Sequence, residues 1–185
     1  EVECQFQHFN SKRNDGLFFG IKQSSEHGMI YIDNVKISGL FTTGIILNNG
    51  VVKNSSIHLE TLPSIGNSGN GILILGNGLI ENNEISGMKT EKWEKRYPKG
   101  LYPLDGSISS AISCWEYDRA IQKKLGNDKL IISDNYIHDN DIGLSIHDRC
   151  ERAIFINNVV QDNEIGIVSS GIVYQNSFID NDVQV

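Results

Sequence analysis

The last third of the chain consists of three similar lines, and this repetition restricts the fold more than any other feature. The lines are residues 128–141 (DKLIISDNYIHDND), 151–164 (ERAIFINNVVQDNE) and 170–182 (SGIVYQNSFIDND). Each contains a short apolar run, an asparagine-centred pair, a further apolar residue and a closing Asp-Asn. Gly-led apolar segments follow the first two lines. The pattern therefore indicates short buried strands separated by tight turns.

The same line recurs from residue 32 onwards at intervals of about twenty residues. One apolar anchor per line occupies Ile37, Ile57, Ile85, Ile137, Val160 and Phe178. A second apolar column, five residues earlier, consists of Ile32, Val52, Ile80, Ile132, Phe155 and Val173. Such self-similarity predicts a solenoid in which each unit buries its apolar face against its neighbours. The interval of 52 residues between Ile85 and Ile137 is predicted to contain one further line.

Asparagine distinguishes between the two kinds of solenoid that have this period. It stands two or three residues before every anchor, as Asn34, Asn54, Asn82 with Asn83, Asn135, Asn157 with Asn158, and Asn176. A leucine-rich repeat would need leucine at fixed offsets, whereas this chain has 26 isoleucines and 19 asparagines. A parallel β-helix uses β-branched residues in its core and asparagine at its turns, where stacked amides bond from coil to coil. The composition favours the β-helix.

The lines resemble the irregular repeats of the right-handed parallel β-helix, pectin-lyase-like superfamily, from about residue 28 to the end of the chain. The resemblance implies an all-β fold, a single right-handed parallel β-helix of about seven or eight coils with a long loop insertion at about 88–110. The superfamily includes lyases, hydrolases, epimerases and phage tailspikes, so the resemblance indicates a fold and not an activity. The chain lacks the motif strings typical of pectate lyases, polygalacturonases and chondroitinase-like lyases.

Length and composition predict one domain over residues 1–185, with no apolar run near 18 residues and no membrane span. Neither end carries a polar or helical cap, so we expect a piece of a longer protein. The three cysteines, Cys4, Cys114 and Cys150, are an odd number. We interpret them as free, buried or half-buried thiols, because their spacing does not suit zinc and cysteine packs like a small apolar residue.

Charge is unevenly distributed along the chain. Residues 88–129 hold nine Lys or Arg against six Asp or Glu, while the remainder holds seven against seventeen. The insertion also contains Trp93, Lys95, Arg96 and Tyr97. A basic, aromatic flap on an acidic rod predicts a clamp for an anionic polysaccharide, although solvated loop charge without a partner is an equal alternative. The acidic body argues against nucleic acid as a partner.

Aligning the Gly-led strands places a group of functional side chains in one outward column. Segments 71–75, 111–115, 143–147 and 166–170 then share a register, and strand alternation directs Trp115 and His147 outward. Adjacent coils lie roughly 4.8 Å apart, which would make Trp115 a neighbour of His147 and Glu116 a neighbour of Asp148. The candidate site also includes Tyr117, Asp118, Arg119 and Arg149.

These residue types suit carbohydrate chemistry in two ways. Trp115 offers a face for a sugar ring, and Glu116 with Asp148 would form a retaining glycosidase pair, roughly 5–5.5 Å apart. In a lyase the same carboxylates, with Asp118, would hold Ca²⁺ against a substrate carboxylate while Arg149, His147 or a flap lysine takes a proton. In pectin-lyase-like enzymes the site similarly lies on the outer face of one parallel sheet under long loops.

Three functions remain open at this point. The leading prediction is a secreted or surface carbohydrate-active protein that either only grips an acidic polysaccharide or also cleaves it, as a lyase or a glycoside hydrolase. The first alternative is a non-catalytic tailspike or adhesin segment, trimeric if a tailspike, that binds surface glycans or serves as a rod. The second is a purely structural fragment. The outward charged residues would then be ordinary solvent-facing side chains. His138, Asp139 and Asp141 are predicted to be turn residues.

Overall fold

A computed structural model of the chain describes residues 2–6, 19–23, 28–40, 43–60, 69–89, 109–114, 129–146, 150 and 153–183. The first strands are β1 Val2–Phe6, β2 Phe19–Lys22, β3 Ile30–Asp33, β4 Val35–Leu40, β5 Thr43–Leu47, β6 Gly50–Lys53, β7 Ser56–Glu60, β8 Asn70–Ile74, β9 Gly78–Glu81 and β10 Glu84–Ser86. The remaining strands are β11 Ser110–Cys114, β12 Leu130–Ser133, β13 Tyr136–His138, β14 Ile142–Ile146, β15 Ile154–Ile156, β16 Val159–Gln161, β17 Ile165–Ser169, β18 Ile172–Tyr174 and β19 Ser177–Ile179.

The strands form three parallel sheets that run the length of a solenoid. Sheet A has the order β1-β4-β7-β10-β13-β16-β19, sheet B the order β17-β14-β11-β8-β5-β2, and sheet C the order β18-β15-β12-β9-β6-β3. Each coil passes through sheets B, C and A in turn, and the described residues contain six such coils preceded by β1. The predicted all-β parallel solenoid is confirmed.

The apolar columns found in the sequence form continuous stacks of side chains in the core. In sheet A the anchors pair in register from Ile37 through Ile57, Ile85, Ile137 and Val160 to Phe178. In sheet C the second column pairs from Ile32 through Val52, Ile80, Ile132 and Phe155 to Val173. Most of these side chains are completely buried. Burying these apolar side chains stabilises the stack of coils by about 25 cal/mol for each Å² of apolar surface removed from water, and this is the main force that holds the coils together.

The prediction of a further line between Ile85 and Ile137 is wrong, because these two residues are direct register partners. The 52 residues between them form one coil, whose sheet B strand is β11. The extra length lies in the connections from β10 to β11 and from β11 to β12, so it adds no rung. Most of the predicted insertion at 88–110 lies outside the described residues. Met88 is buried, and its backbone N–H donates to Asn140 Oδ1 over 3.0 Å.

The turn between sheets C and A combines a left-handed residue with a buried asparagine. The left-handed positions have φ between 51° and 58° and are Asn34, Asn54, Asn82, Asp134, Asn157 and Gln175. Asn and Asp tolerate this conformation better than other residues with a Cβ. The next residue in four successive coils is Asn83, Asn135, Asn158 or Asn176. Each of the first three donates its backbone N–H and Nδ2–H to the Oδ1 atom of the next asparagine over 2.8–3.0 Å.

A second asparagine ladder occupies the turn between sheets A and B. Asn140 donates through its backbone N–H and Nδ2–H to Asn163 Oδ1, and Asn163 donates in the same way to Asn181 Oδ1. Asn140 and Asn163 are buried, so these bonds satisfy polar groups that water cannot reach. The predicted coil-to-coil amide ladder is therefore confirmed at two corners of the solenoid.

Candidate functional site

The twelve residues predicted to form the site lie outside the described residues. They are Trp93, Lys95, Arg96 and Tyr97 of the insertion, Trp115, Glu116, Tyr117, Asp118 and Arg119 after β11, and His147, Asp148 and Arg149 after β14. The structure describes the strands and the cysteines that border these segments. Those bordering residues define where the polypeptide enters and leaves the candidate site.

Strands β11 and β14 end on adjacent coils in the register that the sequence predicted. Cys114 pairs with Ile146, and both side chains are buried in the core. Trp115 is the next residue after Cys114, and His147 is the next residue after Ile146. The two candidate segments therefore begin from positions one rung apart, a separation of roughly 4.8 Å between strands.

The predicted alignment of all four Gly-led strands is also correct. One core column runs from Ile72 through Ile112 and Leu144 to Ile167. A second runs from Ile74 through Cys114 and Ile146 to Ser169. On the outward side, Leu75 after β8 is half-buried and Ser170 after β17 is exposed. These two residues occupy the positions equivalent to Trp115 and His147, so the outward column is consistent wherever the structure describes it.

A disulfide joins Cys114 to Cys150, with a distance of 6.3 Å between the two Cα atoms. The expectation of free thiols is therefore wrong for these two cysteines, and the side chain of Cys4 lies outside the described residues. The cysteines are separated by 36 residues in sequence, but the coil returns the chain to the neighbouring rung. The bond links the residue before Trp115 to the residue after Arg149, and so ties the two candidate segments together at their outer boundaries.

Two serines lie on the outer face of sheet B beside these segments, and Leu73 and Val168 occupy the equivalent positions on the coils to either side. Ser113 and Ser145 are register partners that point away from the core, yet both are buried. Ser113 Oγ donates to Asn70 Oδ1 over 2.7 Å. This hydrogen bond links β11 to the adjacent strand β8.

A second polar group, which the sequence reasoning missed, lies on the outer face of sheet A. His138 Nδ1 lies 2.8 Å from Asp139 Oδ2, and His138 Nε2 lies 3.3 Å from Glu84 Oε1. The Tyr136 ring stacks on the imidazole with 4.3 Å between centroids. The hydrogen bond from His138 outweighs partial burial and holds the pKa of the Asp139 carboxyl below its ordinary value, with the charges of His138 and Lys89 acting in the same direction.

The assignment of His138 to a turn was wrong, because it is the last residue of β13. Asp139 is a turn residue, with φ of 56°, as predicted. Glu84 and His138 are neighbours because β10 pairs with β13 in sheet A, and only this strand pairing reveals it. Glu84 and Asp139 are exposed, so these ion pairs contribute little free energy.

Among the described residues, no group of three His, Cys, Asp or Glu side chains has the arrangement needed to hold a metal ion. The carboxylates proposed as calcium ligands, Glu116, Asp118 and Asp148, lie outside that part of the chain. Calcium therefore stays a prediction. The described strands and turns also include no helix with the length and apolar character that a membrane span requires.

Comparison with known proteins identifies a family for nearly the whole chain. The family model described as a right handed beta helix region matches residues 18–185. No curated protein matches the chain, and no solved structure matches it. The family match agrees with the three stacked parallel sheets and supplies the hand of the coil.

Proposed function

Since the chain belongs to the right-handed β-helix family, we propose that it is a carbohydrate-active protein that binds an acidic polysaccharide at the ends of β11 and β14 and cleaves it there. The register pair of Cys114 with Ile146, one rung apart and joined to the Cys114–Cys150 disulfide, carries this proposal. Trp115 follows Cys114 and His147 follows Ile146, so this pairing supports the proposal that the two segments lie side by side. A sugar would stack on Trp115, and the basic flap would attract its carboxylates.

Two reaction types fit the proposed residues. In a hydrolase, Glu116 and Asp148 on adjacent coils would be the acid and the nucleophile, because close like charges raise one of the two pKa values. In a lyase, the carboxylates and Asp118 would hold Ca²⁺, whose charge stabilises the carbanion formed beside a uronate carboxylate. His147, Arg149 or a flap lysine would remove the proton beside that carboxylate. The electron pair would then form a double bond to the neighbouring ring carbon as the glycosidic C–O bond there breaks, and the leaving oxygen would take up a proton.

The test is a panel of uronate and neutral polysaccharides, with products followed by unsaturated-sugar absorbance and by reducing ends. Cleavage that Glu116→Ala or Asp148→Ala reduces at least about a hundredfold supports the proposal. Glu84→Gln, which removes a carboxylate from the outer face of sheet A, is the matched control and should keep full activity. An unchanged rate in both alanine variants, or neither binding nor turnover by the wild type, would overturn the catalytic assignment. Chelation should abolish activity only in the lyase case.

The disulfide also supports the proposed secreted or cell- or virion-surface location, because such bonds persist in oxidising compartments. The second candidate function is a non-catalytic tailspike or adhesin segment that binds surface glycans without cleavage. An outward apolar column on sheet C, which an isolated enzyme does not need, favours it. Sugar binding without product formation would select this candidate.

A further inference from the structure

Sheet C carries an unbroken apolar column on the side that faces away from the core. The column follows strand register through all six coils and consists of Tyr31, Val51, Leu79, Ile131, Ile154 and Ile172. Tyr31 is 74% exposed and Ile172 is 56% exposed, while the four residues between them are half-buried. The neighbouring outward column becomes apolar at the last two coils, with Ile156 and Tyr174.

The outer face of sheet A provides an internal comparison. One of its outward columns runs through Lys36, Ser56, Glu84, Tyr136, Val159 and Ser177, and the other runs through Ser38, His58, Ser86, His138, Gln161 and Ile179. Both columns are mainly polar, although both lie in strands of the same fold. A general preference of strands for β-branched residues would affect both sheets equally. The apolar column of sheet C therefore requires a specific explanation.

The size of the patch is suited to an interface. Its eight apolar side chains expose on the order of 500 Å², at the upper end of what an ordinary monomer leaves in one patch. A stable interface buries about 800 Å² per partner, which the patch and its polar rim together can supply. In that rim Lys53 Nζ lies 2.6 Å from Glu81 Oε2, so these two charges are already neutralised. A partner would meet no net charge from this pair.

We propose that sheet C binds sheet C of a second copy of this chain. The rungs of the column recur at roughly 4.8 Å, and a second copy presents the same rise with the same side-chain sequence. Ridges and furrows can therefore match along six rungs, which a globular partner without this period cannot do. Such a contact is self-complementary and generates a closed homo-oligomer. This inference rests on the described residues of sheet C and is independent of the proposed polysaccharide site.

Sedimentation velocity over a wide range of concentrations tests the proposal. The wild type should form a dimer, and Ile131→Glu should weaken that association about thirtyfold or more, because it places a charge at the centre of the interface. Val159→Glu is the matched control, since Val159 is a half-buried outward residue of sheet A. Its association should equal that of the wild type.

A cross-linking experiment covers the case in which Ile131→Glu fails to fold, as judged by circular dichroism. Leu79→Cys should form covalent dimers under mild oxidation, whereas Val159→Cys should remain monomeric on a non-reducing gel. A wild type that is monomeric at every concentration would overturn the proposal, as would equal cross-linking of the two cysteine variants. Capture of a different partner by sheet C of a monomeric chain would overturn it too.

Discussion

Replacing Asn135 with alanine tests how much the asparagine ladder contributes to the stability of the coil stack. Asn135 is buried, and its Oδ1 accepts from the backbone N–H and the Nδ2–H of Asn83 over 3.0 and 2.9 Å. Its own Nδ2 donates to the carbonyl oxygens of Ile80 and Ser133, each over 2.9 Å. Nδ2 also donates to Asn158 Oδ1 over 2.9 Å, and the substitution removes all five of these contacts.

The expected loss follows from the donors that remain without acceptors. Each buried donor that loses its acceptor destabilises the fold by about 1–3 kcal/mol, and two donors of Asn83 lose theirs. We expect Asn135→Ala to lower the free energy of unfolding by about 3–5 kcal/mol. For a chain of this length the thermal midpoint should fall by about 10 °C.

Urea denaturation followed by circular dichroism measures this loss, and hydrogen exchange locates it. The Asn83 amide should exchange faster in the variant than in the wild type. Asn82→Gly is the matched control, because Asn82 is the exposed left-handed residue beside the ladder and glycine adopts its φ of 54° without strain. The control should change stability by less than about 1 kcal/mol. A loss below about 1 kcal/mol in Asn135→Ala would refute the assigned role of the ladder.

Three further perturbations have defined outcomes. Reducing the disulfide, or replacing both Cys114 and Cys150 with serine, should lower the free energy of unfolding by about 4 kcal/mol. The loss comes from the loop-closure entropy of a 36-residue separation, and an unchanged urea midpoint would contradict it. Asp139→Asn removes a carboxylate whose pKa is lowered, so its contribution is present at neutral pH and disappears as pH falls through that lowered value. Thermal midpoints of wild type and variant should therefore differ slightly near pH 7 and converge in acid, and a constant difference would argue against the contact. Gly71→Ala should lower the free energy of unfolding by about 1–3 kcal/mol, because a Cβ there would lie 2.5 Å from the Ala111 carbonyl oxygen. Equal thermal midpoints would show that the backbone shifts to accommodate the methyl group without cost.

The sequence was sufficient to predict the coil register, because each core rung repeats the same residue type at the same offset from an asparagine. The pairing of Ile137 with Val160 and that of Phe155 with Ile132, for example, follow directly from counting the offset from the turn. The number of coils between Ile85 and Ile137 did not follow, since added turn length and an added coil both lengthen the interval. Only backbone pairing distinguishes these two cases.

The Cys114–Cys150 disulfide and the contacts of His138 with Glu84 and Asp139 could not be predicted from the sequence, for a related reason. Cys114 and Cys150 differ in sequence context, and the cysteine count alone does not determine the pairing. Glu84 and His138 are 54 residues apart and meet only because β10 and β13 are adjacent. Long-range neighbours are predictable in a solenoid only after the coils have been counted correctly.

The most direct test of the central claim, that adjacent coils bring residues 115–119 and 147–149 into one site, is a double-mutant cycle on ligand binding. Calorimetry would measure a uronate oligosaccharide binding to the wild type, Trp115→Ala, Asp148→Ala and the double variant. Residues that share a site should show a coupling free energy of about 0.5–3 kcal/mol. Strictly additive losses, or no loss in either single variant, would contradict the shared site.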